Sequence, residues 1–266
     1  MDSSRKKDSI LNSKHAEKIS AYRIMDDEFM SKVFDGHKEE TELVLKIILK
    51  KNDLNVISVK TQAELKNLQG RSIKLDILAT DKSNRVYNIE VQKSASGASP
   101  LRARYHSSLI DSNSVGKGCS WNDLPETYVI FITETDVLQK NLPIYHVERR
   151  IKETEEPFND KAHIIYVNGQ NEDETELGLL MHDFRAENPD EMHYKLLADR
   201  VRVYKETEEG VNTMNALVEQ YGKEEAEKAT KATTSKLLKS LGLTPKQYEK
   251  LVKELEQNPT KKIKLV

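Results

Sequence analysis

Hydrophobic and polar positions alternate with two different periods along the chain, and these periods predict a succession of helices and strands. In DDEFMSKVF, the apolar residues Phe29, Val33 and Phe34 recur at helical spacing, and Asp26 or Asp27 is the expected N-cap. The segment EETELVLKIILKK continues as a second amphipathic helix. The folded region is therefore predicted to begin with helices.

Extended segments follow these helices. LNVISVK (54–60) is predicted as a first strand, and the polar segment TQAELKNLQG is interpreted as a connecting loop. IKLDILAT and VYNIEVQ both alternate apolar and polar residues, and the turn-rich DKSNR separates them. This pattern is typical of a β-hairpin.

A helix and three strands are predicted after the hairpin. The pair Ser99–Pro100 is a start signal for a helix from about 99 to 112. The continuous apolar run 126–133 suits a central strand that is covered on both faces. Further strands are expected at 142–151 and 162–169, and helices from Leu177 to the end.

The element order α-β-β-β-α-β predicts an α/β fold with a mixed sheet flanked by helices. The predicted domains are a flexible N-terminal arm (1–22), a core with an acidic insertion (23–210) and a basic helical C-terminal region (211–266). From Glu153 to Glu219 there are 17 acidic and 6 basic residues, whereas the segment 222–266 has 11 Lys and 6 Glu. This asymmetry is compatible with a polyanionic partner, although solvated helix faces explain the tail equally well.

Composition limits the classes of protein to consider. Charged residues make up 32% and apolar residues 37% of the 266 positions, and no apolar run approaches the roughly 20 residues of a membrane span. The N-terminal segment lacks the apolar stretch of a secretory signal, and the lone Cys119 excludes an intramolecular disulfide. We therefore expect a cytoplasmic protein with no membrane partner.

The hairpin places two carboxylates opposite each other. If the strands turn symmetrically about Ser83, Asp76 faces Glu90 with Cβ atoms about 5 Å apart. Like charges at that distance destabilise a sheet unless a cation lies between them, and hard oxygen ligands suit Mg²⁺ or Mn²⁺. The alternative is a solvent-facing pair whose repulsion is reduced by Lys74 and Lys93.

The spacing of L-D-I and E-V-Q resembles the PD-(D/E)XK nuclease superfamily, whose core is restriction-endonuclease-like. More closely, DDEFMSKVF, NIEVQKS, RARYHSSLID and LPETYVIFITE resemble the Rpn-type recombination-promoting nucleases, a transposase-related group. The resemblance runs from about Asp26 to Gly169 and implies that Asp76 and Glu90 are metal ligands, with the Val91 carbonyl as a further one. It implies a metal-dependent DNA endonuclease that uses Mg²⁺, Mn²⁺ or Ca²⁺ and acts in recombination, in mobile elements or in defence.

One position departs from the superfamily pattern. The second acid is usually followed two residues later by Lys, whereas this chain has Gln92, as is common in the Rpn-like group, and Lys93 comes next. A Gln cannot stabilise charge as a cation, but its amide can orient water or a phosphate oxygen. A nuclease fold without efficient turnover, acting as a nucleic-acid- or protein-binding module, is therefore the alternative function. In a weaker third interpretation, the helical tail is a dimerisation or regulatory module.

The remaining site predictions concern the helices. Related nucleases often add a Glu from the first helix, and Glu42 is our choice, with Glu39, Glu40 and Asp27 as alternatives. The helix after the hairpin offers side chains for phosphate contacts that do not read base sequence. The predicted nucleic-acid-binding residues are Arg102, Arg104, Tyr105, Lys93 and Lys74. His106 is expected to be a packed or surface residue, and homodimerisation is an open expectation.

Overall fold

The computed structural model describes residues 15–67, 70–240, 242, 244 and 246–247 of the chain. Most of the predicted arm (1–22) and of the predicted C-terminal helix pair therefore lies outside the described residues. The chain divides into two compact units, one up to Asn215 and one from Ala216 onward. The predicted domain limits remain predictions.

The described helices have the following bounds: α1 Ala16–Ser20, α2 Asp27–Phe34, α3 Lys38–Leu49, α4 Pro100–Ser114, α5 Glu176–Arg185, α6 Lys195–Glu206 and α7 Glu208–Ser240. The strands are β1 Val56–Leu65, β2 Ile73–Asp81, β3 Val86–Gln92, β4 Thr127–Thr133, β5 Ile144–Val147 and β6 Ala162–Asn168. Among the described residues, no helix has both the length and the apolar composition that a membrane crossing requires.

The six strands form one mixed sheet in the order β1-β2-β3-β4-β6-β5. β1, β2 and β3 are antiparallel neighbours, β3, β4 and β6 run parallel, and β5 is antiparallel to β6. Every residue of β4 is buried, which confirms the prediction from its continuous apolar run. The α/β class and the mixed sheet are those expected from the sequence.

Two predicted strands have the wrong limits. The segment Thr61–Leu65, predicted as part of a loop, continues β1 and pairs with β2. Its polar side chains are compatible with a strand because β1 is an edge of the sheet. The strand predicted at 142–151 is reduced to Ile144–Val147, since β5 is the opposite edge and pairs only with β6.

The start of α4 follows the predicted signal. Pro100 occupies the first turn, and the Ser99 hydroxyl accepts a hydrogen bond from the Arg102 amide at 3.3 Å. Ala103 and Leu109 of α4 belong to an apolar cluster that also contains Leu75 of β2 and Phe131 of β4. This packing fixes the first turn of α4 beside the end of the hairpin.

Candidate active site

The hairpin has the predicted register up to the two acids. Regular pairing extends from Thr80–Val86 to Ile77–Ile89, as a turn centred on Ser83 requires. At the next row, which contains Asp76 and Glu90, backbone amides bond to side-chain carboxylates instead of to backbone carbonyls. The Asp76 amide donates to Glu90 Oε1 at 3.3 Å, and the Val91 amide donates to Asp76 Oδ2 at 3.0 Å. The two carboxylates thus lie side by side where the ladder opens.

The neighbouring strand β1 is also irregular at this row. Gln62 lies between the pairs Thr61–Ile77 and Ala63–Leu75, and so faces Asp76. Its φ of 53° is in the left-handed region, which is unusual for a residue inside a strand and is often found near functional sites. Its side-chain amide donates to Asp27 Oδ1 at 3.0 Å. Asp27, at the start of α2, is therefore the helical acid next to this row.

The structure does not bring Glu42 to the carboxylate pair, and this site prediction is wrong. Its carboxylate accepts hydrogen bonds from Lys46 Nζ at 2.6 Å and from the Val56 amide at 2.9 Å. Val56 pairs with Asp81, which is five residues, or roughly 17 Å, from Asp76 along β2. Burial raises the pKa of Glu42, but the two hydrogen bonds together with the charges of Lys46 and Lys82 outweigh it and lower the pKa overall.

The two other acids considered from this region are also placed elsewhere. Glu40 is buried and accepts a hydrogen bond from Arg200 Nε at 2.7 Å. Glu39 is exposed in the first turn of α3. Sequence spacing favoured α3 because its acids stand one turn before apolar positions, but the packing of α3 directs them away from the hairpin.

The carboxylate pair is electrostatically frustrated. Burial and the neighbouring charges of Glu90 and Asp27 raise the pKa of Asp76 to about 8, although the Val91 amide and Arg102 oppose the shift. Glu90 is completely buried. Within the described part of the chain, Asp76 Oδ1 has no hydrogen-bond partner. A cation beside Asp76 would relieve this repulsion, so the donor set fits a metal that prefers oxygen ligands.

Arg102 is the main positive charge in contact with Glu90. Its Nη2 donates to Glu90 Oε2 at 2.9 Å, and its Nη1 donates to the Gly97 carbonyl at 2.9 Å and to Gln92 Oε1 at 3.3 Å. The sequence predicted a phosphate contact for Arg102. The structure instead directs much of its hydrogen-bonding capacity to the hairpin, because the first turn of α4 lies against the end of β3.

Gln92 connects Asp76 to Arg102. Its Nε2 donates to Asp76 Oδ2 at 3.3 Å, while its Oε1 accepts from Arg102. Lys93 forms an ion pair with Asp26 and does not join the carboxylate pair. The chain therefore places a neutral amide where the superfamily pattern has Lys, and Arg102 supplies positive charge from α4.

His106 lies behind Glu90 and is buried, as a packed histidine should be. Arg102 Nε donates to His106 Nε2 at 3.2 Å, so this nitrogen presents a lone pair. Nδ1 lies 3.5 Å from Glu90 Oε1 and 3.2 Å from the Asn88 side-chain amide. His106 and Asn88 thus support Glu90 and Arg102.

Two residues of this cluster were not predicted as site residues. Asn88 stands two positions before Glu90 on the same strand, so the two-residue period of the strand was a usable signal for it. Gly97 lies in a short 3-10 helix between β3 and α4, and only the tertiary structure shows that its backbone contacts Arg102.

Gly97→Ala should reduce the DNA cleavage that the sequence resemblance implies much more than it reduces stability. A methyl group at Gly97 would overlap Gln92 Oε1, the mobile end of a side chain, and would move the amide away from Asp76 and Arg102. We expect about a tenfold loss of DNA cleavage, by analogy with residues that support metal ligands, and a change in melting temperature of at most a few degrees. Gly116→Ala is the matched control, because the nearest atom to its added methyl group is Cys119 Sγ at 3.9 Å. Equal activity of both variants would contradict a role for Gln92.

A cleft of about 780 Å³ opens beside this cluster. Its lining includes the basic residues Arg71, Lys74 and Arg102, together with Tyr105 and His106. The Tyr105 hydroxyl donates to the Arg71 carbonyl at 2.5 Å, so it holds the wall of the cleft. Lys74 and Arg104 are both exposed. Lys74, Tyr105 and Arg102 thus line one cleft, and Arg104 lies on the same helix as the latter two.

The family model described as PD-(D/E)XK nuclease family transposase matches residues 28–238, well over half of the sequence. The chain belongs to this family. Comparison with curated proteins and with solved structures gave no significant match.

Membership of the PD-(D/E)XK nuclease family agrees with the resemblance seen in the sequence and supports a nuclease or transposase-like function. Nucleases of this family generally use divalent metal ions. The sequence resemblance assigns Asp76 and Glu90 to the two acids of the PD-(D/E)XK motif and Gln92 to its Lys position, and this assignment stays a prediction.

Proposed function

We propose that this protein is a divalent-metal-dependent DNA endonuclease that hydrolyses phosphodiester bonds, with a role in recombination, mobile elements or defence. The observation that carries the proposal is the placement of Asp76 and Glu90 side by side where the hairpin ladder opens, beside a cleft with basic walls. The family of the chain agrees with this chemistry.

Asp76 and Glu90 would hold the metal, with the Val91 carbonyl as a further ligand, because the Val91 amide already adjoins Asp76. Oxygen donors of this kind favour Mg²⁺, and Mn²⁺ or Ca²⁺ are the alternatives. When bound, such a cation activates water for attack and neutralises the charge that develops on the phosphate. Asp27 is close enough to raise the pKa of Asp76 and is our proposed source of additional negative charge for the cation.

The residues of the chain itself would orient the reaction. Arg102 holds Glu90 in place through a charge-assisted hydrogen bond and keeps the Gln92 amide directed towards Asp76. Its side chain is 36% exposed, so part of the guanidinium remains available to a phosphate oxygen in the cleft. We assign to Arg102 the charge stabilisation that Lys provides in the superfamily pattern.

The DNA backbone would lie along the cleft. Lys74 and Arg71 provide positive charge at its wall, and Arg104 extends this charge along α4. Such contacts attract phosphates and fix the position of the duplex without reading base sequence. The proposed substrate is therefore DNA recognised mainly through its backbone.

Plasmid nicking tests the proposed function. The full-length protein should convert supercoiled plasmid to open-circular or linear DNA with Mg²⁺ or Mn²⁺, and an excess of EDTA should stop the reaction. Glu90→Gln should remove the activity while the protein still binds DNA. A wild-type protein that binds the plasmid but does not cut it in the presence of any divalent metal would overturn the proposal. That result would favour the nucleic-acid-binding module.

A further inference from the structure

A second cluster of metal-binding side chains lies outside the proposed nuclease site. His182 and Asp183 are in the last turns of α5, and His193 precedes α6. One potential ligand atom from each residue lies within 4.8 Å of the other two. The two imidazole rings meet edge to face with centroids 4.7 Å apart. These residues come from different segments of the chain, and packing of α5 against the start of α6 brings them together.

The separations of the ligand atoms match a small coordination sphere. Asp183 Oδ1 lies 3.2 Å from His193 Nδ1 and 3.6 Å from His182 Nδ1. Ligands at about 2.0–2.1 Å from a tetrahedral zinc ion are about 3.3 Å apart. A cation can therefore contact all three atoms after small side-chain rotations.

The hydrogen bonding of the cluster is incomplete. His182 Nδ1 is a buried nitrogen with no hydrogen-bond partner among the residues that the structure describes, and it lies 3.6 Å from Asp183 Oδ1. A buried polar atom without a partner is costly and calls for an explanation. A metal ion at this point would bind the free lone pair of His182.

Asp183 is fixed independently of any metal. It is completely buried, and its two oxygens accept hydrogen bonds from the His193 amide at 2.7 Å and the Tyr194 amide at 2.8 Å. These bonds satisfy amides at the start of α6. Each carboxylate oxygen retains further acceptor capacity, so Asp183 can cap α6 and also bind a cation.

We propose that His182, Asp183 and His193 form a binding site for a zinc-like transition-metal ion that joins the end of α5 to the start of α6. Two imidazole nitrogens and one carboxylate oxygen favour Zn²⁺, Co²⁺ or Ni²⁺ over Mg²⁺ and Ca²⁺. Three protein ligands leave one position for water or another donor. We assign the site a structural role, because the metal would link α5 to the start of α6, and neither helix carries a residue of the carboxylate pair on β2 and β3.

Metal content and cobalt spectroscopy test this site. Full-length protein that is freed of metal and then incubated with Zn²⁺ should retain one equivalent of Zn²⁺ after dialysis. The variants His182→Ala and His193→Ala should each bind Zn²⁺ at least about tenfold more weakly, since each removes one of three ligands. Co²⁺ should give the intense visible bands of a tetrahedral site in the wild type and lose them in both variants. Circular dichroism would establish that the variants are folded.

Two control variants separate this site from others on the chain. His146→Ala, at an exposed position of β5, should retain the Zn²⁺ and the cobalt spectrum. Asp76→Asn should retain them too, because it alters only the oxygen-donor site. Absence of Zn²⁺ from the wild type, or equal Zn²⁺ affinity in wild type, His182→Ala and His193→Ala, would overturn the proposal. Both results are independent of DNA cleavage.

Discussion

Asp76→Asn should abolish metal-dependent DNA cleavage and, in metal-free buffer, make the folded protein more stable. The substitution removes a partly buried charge next to Glu90, while the Asn oxygen can still accept the hydrogen bond from the Val91 amide. It also removes a proposed metal ligand, so we expect at least about a 100-fold loss of cleavage. A gain in stability together with a loss of function is typical of strained functional sites.

The stability difference should depend on pH in a defined direction. The pKa of Asp76 is raised from 3.8 to about 8 by folding, so protonated Asp76 contributes stability that is complete below pH 3.8. That contribution is lost as the pH rises towards 8. Asn has no proton to lose at this position, so the variant keeps its stability over the same range. The difference in the free energy of unfolding between variant and wild type should therefore widen from about pH 4 to about pH 8 and stay constant above pH 8.

Thermal melts from pH 4 to pH 9 in EDTA would measure this difference, with Asp53→Asn as the control at an exposed turn. We expect Asp76→Asn to melt a few degrees higher than the wild type at pH 8, and Asp53→Asn to match the wild type. Added Mg²⁺ should raise the melting temperature of the wild type and leave Asp76→Asn unchanged. A variant less stable than the wild type at pH 8 without metal would contradict the electrostatic argument.

Arg102→Ala should cause the second large effect, a loss of both stability and cleavage. Glu90 is completely buried, and Arg102 is the only Lys or Arg that pairs with it among the residues that the structure describes. The other nearby basic group is the His106 ring, 3.5 Å away. Removing one member of a buried ion pair costs about 3–5 kcal/mol, and the partial exposure of Arg102 places our expectation near 2–3 kcal/mol. Cleavage should fall at least about 100-fold, because Glu90 and Gln92 would both lose their orientation.

Urea denaturation of Arg102→Ala and of Arg104→Ala would measure this loss, since Arg104 is exposed two residues along the same helix. The control should change the free energy of unfolding by less than about 0.5 kcal/mol. Adding Glu90→Gln to Arg102→Ala should recover part of the lost stability, because no unpaired charge would remain buried. Arg102→Lys should not restore cleavage, since one ammonium cannot replace a guanidinium that contacts Glu90, Gln92 and Gly97 together.

Local patterns were sufficient to predict the hairpin and its register. The alternation of β2 and β3 permits one pairing that keeps Ile77 and Ile89 on the same face, and this pairing places Asp76 beside Glu90. The start signal Ser99–Pro100 likewise determined where α4 begins. Both features depend on residues close in sequence, so short-range rules describe them.

The sequence did not predict how the hairpin opens at the acids. The positive φ of Gln62 and the amide–carboxylate bonds of Asp76 and Glu90 arise where three strands meet. No local propensity describes such a row, because its conformation depends on partners from two other segments. The predicted limits of β1 were wrong for a related reason, since pairing with β2 stabilises a polar edge strand.

By itself, the sequence determined the α/β class, the order of the core elements and the pair Asp76 and Glu90, because periodicity and turn residues act over a few positions. The tertiary structure decided which distant residues reach this pair. It brought Arg102, Gly97 and Asp27 to the hairpin, left Glu42 at the far end of β1, and joined His182 to His193. The packing of helices against the sheet sets these contacts, and packing depends on the whole chain.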